Sequence, residues 1–68
     1  MRYYFVSAPG AGNDSVVQPV RARNPRDARI KFWVFCHKFN VAVLVNLTEA
    51  REVSEFEWHQ LTKEINGG

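Results

Sequence analysis

The sequence predicts an α+β fold of order β-β-α-β-α, with a three-stranded, mainly antiparallel sheet covered by one helix. Three observations lead there. Apolar residues alternate with period two over residues 2–7, 15–22 and 41–47, as in strands. Helix-start signals stand at Asn24-Pro25 and at Ser54-Glu55. Between the first two alternating runs, Pro9-Gly10-Ala11-Gly12-Asn13-Asp14 breaks regular structure.

Taken in order, the first strand (residues 2–7) puts Tyr3 and Phe5 on one face and Tyr4 and Val6 on the other. The two glycines that follow invite a phosphate-loop reading. No Lys-Ser or Lys-Thr succeeds them and no helix starts there, so the segment reads as a hairpin loop. In the second strand (residues 15–22), Pro19 cannot donate a ladder hydrogen bond and points to a sheet edge. Val20 and Ala22 turn inward, Arg21 and Arg23 outward.

The first helix has Asn24 as N-cap, Pro25 at its first position and Asp27 against the dipole. It should run to residue 38 or 39, with Asn40 taking the left-handed conformation that ends it. Residues 41–47 read as the third strand. Val41, Val43, Val45 and Leu47 share one face, Ala42, Leu44 and Asn46 the other, which suggests a central position. Residues 48–53 read either as a turn or as a short extended piece. Ser54-Glu55-Phe56-Glu57 is a capping-box pattern opening a second helix over residues 55–65, with Trp58, Leu61 and Ile65 on one stripe. A right-handed crossover sets the third strand beside the first, in strand order 2-1-3. The expected core is Phe5, Val20, Ala28, Phe32, Phe35, Phe39, Val43 and Val45.

The 68 residues suit one domain, residues 1–68, with a thin core. Cys36 is the only cysteine, so no disulfide forms within the chain. With His37 and His59, which sit in different elements, it makes three soft-metal ligands, short of the four of a structural zinc site. No cofactor or metal is expected. A lone thiol fits a reducing compartment. Residues 1–6 are too short for a signal-peptide core and alternate like a strand. No apolar window has the length of a membrane span. The expectation is a cytoplasmic protein with no membrane partner.

Residues 1–40 hold seven basic residues against Asp14 and Asp27, a net of +5. Residues 41–68 hold Arg51 and Lys63 against five glutamates, a net of −3. The split suggests a bipolar surface whose basic face meets an acidic partner. The first helix adds a second signal. Ala28, Phe32, Phe35 and Phe39 form the stripe for the sheet, with Cys36 at its margin. The opposite side still carries Ile30, Trp33, Val34 and His37, flanked by Arg26 and Arg29. Arg29 and Trp33 stand four residues apart, within reach of a cation–π contact. Aromatic and arginine residues together have the composition of a binding hot spot. The candidate partner-binding residues are therefore Arg21, Arg23, Arg26, Arg29, Trp33 and His37. This face has three candidate covers: the second helix, a second copy in a homodimer, or a foreign partner.

A catalytic constellation does not assemble. Cys36 and His37 are adjacent on a helix and diverge, and Glu55 and Glu57 do not converge. Arg21, Arg23, Arg26 and Arg29 could follow a phosphate backbone, with Trp33 or Tyr3 stacking on a base. No recognised nucleic-acid motif accompanies them, and the acidic second half opposes the backbone charge.

The run Val20-Arg21-Ala22-Arg23-Asn24-Pro25-Arg26-Asp27-Ala28, the aromatic-rich helix, and Val41-Ala42-Val43-Leu44-Val45 together resemble very small bacteriophage proteins that block host machinery. Two groups share this strand–helix–strand pattern: compact anti-CRISPR proteins and phage inhibitors of bacterial RNA polymerase. The resemblance spans residues 15–47 and carries no functional residue across. It implies a non-enzymatic inhibitor that binds a host protein or ribonucleoprotein complex in the host cytoplasm, an anti-CRISPR protein first. Polymerase inhibition is the alternative within the resemblance, and a small basic nucleic-acid-binding module the alternative outside it. The basic first half departs from the anti-CRISPR proteins that mimic DNA with acidic surfaces.

Overall fold

The computed structural model describes residues 1–12 and 14–67; Asn13, within the loop-forming run, and Gly68 lie outside them. Strands β1 (Arg2–Pro9), β2 (Ser15–Ala22) and β3 (Glu49–Val53) form one antiparallel sheet in order β2-β1-β3. Helices α1 (Pro25–Lys38) and α2 (Glu55–Gly67) complete the β-β-α-β-α order. The α+β class, the strand order and the edge placement of Pro19 are as the sequence predicts. Pro19 pairs across from Phe5 on β1 and leaves its donorless side at the free edge.

Each face of β1 is apolar, so alternation alone could not say which one is the core. The structure buries Tyr4, Val6 and Ala8, and turns Tyr3 and Phe5 to the other face. This corrects Phe5 as a core residue; it is only half-buried. Ala22 of β2 closes the buried face beside Arg2, its partner in the ladder. α1 packs on this face through Ala28, Phe32 and Cys36, spaced four residues apart so that they stack on one side of the helix. Small Ala8, Ala22 and Ala28 let the helix approach closely enough to enclose Phe32, whose burial stabilises by roughly 1.5–3 kcal/mol. Cys36, at one end of this stripe, is buried with Ala28 and Phe32. Phe39, expected in the core, is 61% exposed because it stands beyond the last helical turn. Val20, Phe35 and Val43 are half-buried and pack against the core, while Val45 is exposed.

Both helix starts obey their sequence signals. Asp27 N–H donates to Asn24 Oδ1 at 2.8 Å. Glu57 N–H donates to Ser54 Oγ at 3.1 Å, and the Ser54 hydroxyl reaches Glu57 Oε1 at 3.3 Å. α1 ends in a Schellman motif. Asn40 has φ 55, its N–H donates to the His37 carbonyl at 3.3 Å, and Val41 N–H donates to the Cys36 carbonyl at 2.8 Å.

The third strand is not residues 41–47. After Asn40 the chain runs irregularly beside the β1–β2 hairpin, held by Ala11 N–H to the Ala42 carbonyl at 3.1 Å and Leu44 N–H to the Pro9 carbonyl at 2.9 Å. A single bridge joins Gly10 to Val43, and one 3₁₀ turn follows at Val45–Leu47. The alternation of Val41 and Val43 is real, since both pack against the core, but it serves to cap one end of the sheet. The strand that pairs with β1 is Glu49–Val53, the stretch whose sequence read ambiguously. It is short, lies at an edge and is mostly charged, as exposed edges commonly are.

α2 lies across the second face of the sheet, where the Trp58 ring meets Tyr3 edge-on with centroids 5.3 Å apart. Trp58 and Leu61 are half-buried, whereas Ile65, expected on the same stripe, is largely exposed. No helix among the described residues is long and apolar enough to cross a membrane.

Candidate functional site

Ala28, Phe32 and Cys36 fix the rotation of α1 and thereby decide what the helix shows outward. The outer face carries Ile30 and Val34, 42% and 62% exposed, one turn apart. Arg26, Lys31, His37 and Lys38 are exposed around them. The side-chain charge contacts of the described residues lie elsewhere: Arg2 pairs with Glu52 at 3.8 Å, and His59 Nε2 stands 3.6 Å from Glu55 Oε1. Lys31 Nζ donates to the Arg21 carbonyl at 2.8 Å and ties the helix to the end of β2. The outer face is therefore an apolar centre rimmed mainly by the basic Arg26, Lys31 and Lys38, with the half-buried Asp27 in the first turn on the same side.

The six residues singled out from the sequence divide three ways. Arg26 and His37 lie on this outer face, with Arg23 exposed in the bend before the helix. Arg29 and Trp33 sit half-buried on its flank. The Trp33 indole Nε1 donates to Thr48 Oγ1 at 2.9 Å, so the cover on Trp33 is neither α2 nor a free surface but the segment leading into β3. Arg21 leaves the group altogether. It points to the second face of the sheet, with its guanidinium 5.5 Å from the centroid of Tyr3. The expected Arg29–Trp33 stack is absent among the described residues; the cation–π contacts pair Arg21 with Tyr3, Lys38 with Phe39 and Arg51 with Phe5.

Sequence reasoning saw Ile30 and Val34 on the outer side but chose Trp33 as the anchor by size. The signal that favours the smaller pair was present: the i, i+4 spacing of two aliphatics midway between flanking cations. Lys31 and Lys38 were missed outright.

Cys36 faces the sheet and is buried, while its neighbour His37 is exposed. Burial strips water from the thiol and raises its pKa. This is the setting of an inert core cysteine. At the opposite end of the sheet from α2, a groove of about 710 Å³ opens between the hairpin and the start of β3, lined by Ser7, Pro9, Val17, Asn46, Leu47 and Glu49 among others. No protein-family model, curated protein or solved structure matches the chain.

Proposed function

We propose that the chain is a small non-enzymatic phage-type inhibitor that docks on a host macromolecular complex through the outer face of α1, acting in the host cytoplasm. The observation that carries the docking surface is the exposure of Ile30 and Val34 between Arg26, Lys31, His37 and Lys38. An apolar centre with a charged rim is the anatomy of a protein interface. Its chemistry asks for a partner with an apolar ridge bordered by carboxylates, supplied by a host protein or the protein part of a ribonucleoprotein. The choice of an anti-CRISPR protein, blocking a CRISPR surveillance complex, rests on the resemblance over residues 15–47. Inhibition of bacterial RNA polymerase is the second reading on the same ground.

Reconstituted assays separate these. The chain is added to a CRISPR surveillance complex binding its target DNA, and to RNA polymerase transcribing a promoter template. Loss of target binding with transcription intact supports the first reading; the reverse supports the second. Binding to free nucleic acid that collapses as salt rises would assign the cations to a phosphate backbone and overturn both.

A further inference from the structure

The second face of the sheet is covered at one end only. The ladder registers set three rows across it: Arg21–Tyr3–Val53, Pro19–Phe5–Arg51 and Val17–Ser7–Glu49. α2 covers the first row, where Trp58 meets Tyr3. The other two rows are open. Val17, Glu49 and Arg51 are exposed, and Pro19, Phe5 and Ser7 are half-buried. Arg51 holds its guanidinium 5.7 Å from the centroid of Phe5. The buried residues Tyr4, Val6, Ala8, Ala22, Ala28, Phe32 and Cys36 all belong to the α1 side, so this face adds none of them.

We propose that two copies of the chain pair through these open rows, about a two-fold axis that crosses the strands between them. Such an axis reverses strand direction and lays each row on the other row of the second copy. Phe5 then meets the partner's Ser7, Pro19 the partner's Val17, and Arg51 the partner's Glu49. Large lies on small, apolar on apolar and cation on anion, each twice, because a two-fold interface uses the same patch on both subunits. An axis along the strands would instead lay each row on itself in reverse, setting Arg51 against the partner's Pro19 and Glu49 against the partner's Val17, with neither charge paired. The ends of the face are complementary too. α2 stands up at the Tyr3 end, with Phe56 exposed, and the groove of about 710 Å³ is sunk at the Pro9 end. The axis exchanges those ends, bringing each α2 to the other copy's groove. α1 lies on the far side of the sheet, so this pairing is independent of the docking surface proposed above and leaves two copies of it facing outward.

Sedimentation equilibrium of the full chain, from micromolar to millimolar concentration, reads the association directly. The expected result is a monomer–dimer equilibrium. Glu49→Arg and Arg51→Glu each weaken it by about tenfold or more, in line with coupling between close charge pairs, and the double reversal restores it. Circular dichroism verifies that each variant is folded, and Val34→Glu on α1 leaves the dimerisation constant unchanged. A wild-type chain that stays monomeric throughout overturns the proposal, as do single reversals without effect or a double reversal that fails to restore pairing. Binding of an oligothymidylate probe lost on Phe5→Ala, in a chain that remains monomeric, would give this face to a nucleic-acid strand instead.

Discussion

The Trp33 indole donates its hydrogen bond to Thr48 across fifteen positions of chain, fastening the flank of α1 to the segment that enters β3. Thr48 Oγ1 in turn donates to the Val45 carbonyl at 2.7 Å, so one hydroxyl joins α1 to the 3₁₀ turn just ahead of β3. Thr48→Val keeps the shape and removes the acceptor. The half-buried indole loses its partner, at an expected cost of about 1–3 kcal/mol. Urea denaturation should show a lower midpoint with an unchanged slope; a variant as stable as wild type would show that the bond does not hold the segment.

Phe32 and Phe39 differ in burial despite lying seven residues apart on one sequence stripe. Phe32→Ala should cost about 3–5 kcal/mol, enough to unfold much of so small a chain. Phe39→Ala should stay within about 0.5 kcal/mol of wild type, as surface changes usually do. Thermal melts of the two variants check both figures; equal losses would put Phe39 back in the core.

Cys36 makes stability depend on alkaline pH. Its thiol pKa is raised by desolvation on burial. The unfolded chain releases this proton at a lower pH than the folded chain does. Between the two values the unfolded state binds fewer protons, so stability falls as pH rises through that interval. Below the unfolded value the contribution is complete; above the raised folded value it is lost. Stability plotted against pH should therefore fall more steeply in wild type than in Cys36→Ala. Parallel alkaline limbs would contradict the assignment.

Asn40 carries the left-handed turn that ends α1, with φ 55. Glycine adopts that conformation without the steric cost of a Cβ, whereas alanine bears it without a side chain able to bond locally. Asn40→Gly should match or exceed wild-type stability, and Asn40→Ala should lose about 1–2 kcal/mol. Calorimetric melting temperatures in the reverse order would remove the strain argument.

Local chemistry made much of this fold legible. The Asn24 and Ser54 caps, the Asn40 ending and the Pro19 edge each follow from one or two residues, and each stands where the sequence places it. The failures arise where two solutions share one pattern. β1 is apolar on both faces, so the choice between Phe5 and Tyr4 fell to α1 and its alanine contacts. Val41 and Val43 alternate like a strand and are packed like one, yet the hydrogen-bond partners on β1 go to Glu49–Val53. Only the length of chain needed to round the end of the sheet separates those readings. On α1, the sequence located the outward side but not its anchor, because the Trp33–Thr48 bond joins residues whose proximity depends on the whole topology. The second sheet face was invisible for the same reason: its rows exist only once the registers are known.

The most direct test of the docking surface is the affinity of wild type and Val34→Glu for a purified CRISPR surveillance complex, measured by biolayer interferometry. Val34 is exposed at the centre of the α1 face, so the variant should fold normally, with stability within about 0.5 kcal/mol of wild type. The account predicts binding by wild type and a loss of roughly thirtyfold or more in the variant, the effect of disrupting a central interface anchor. Equal affinities for the two folded proteins would contradict docking through α1, and no binding by wild type would contradict the anti-CRISPR assignment.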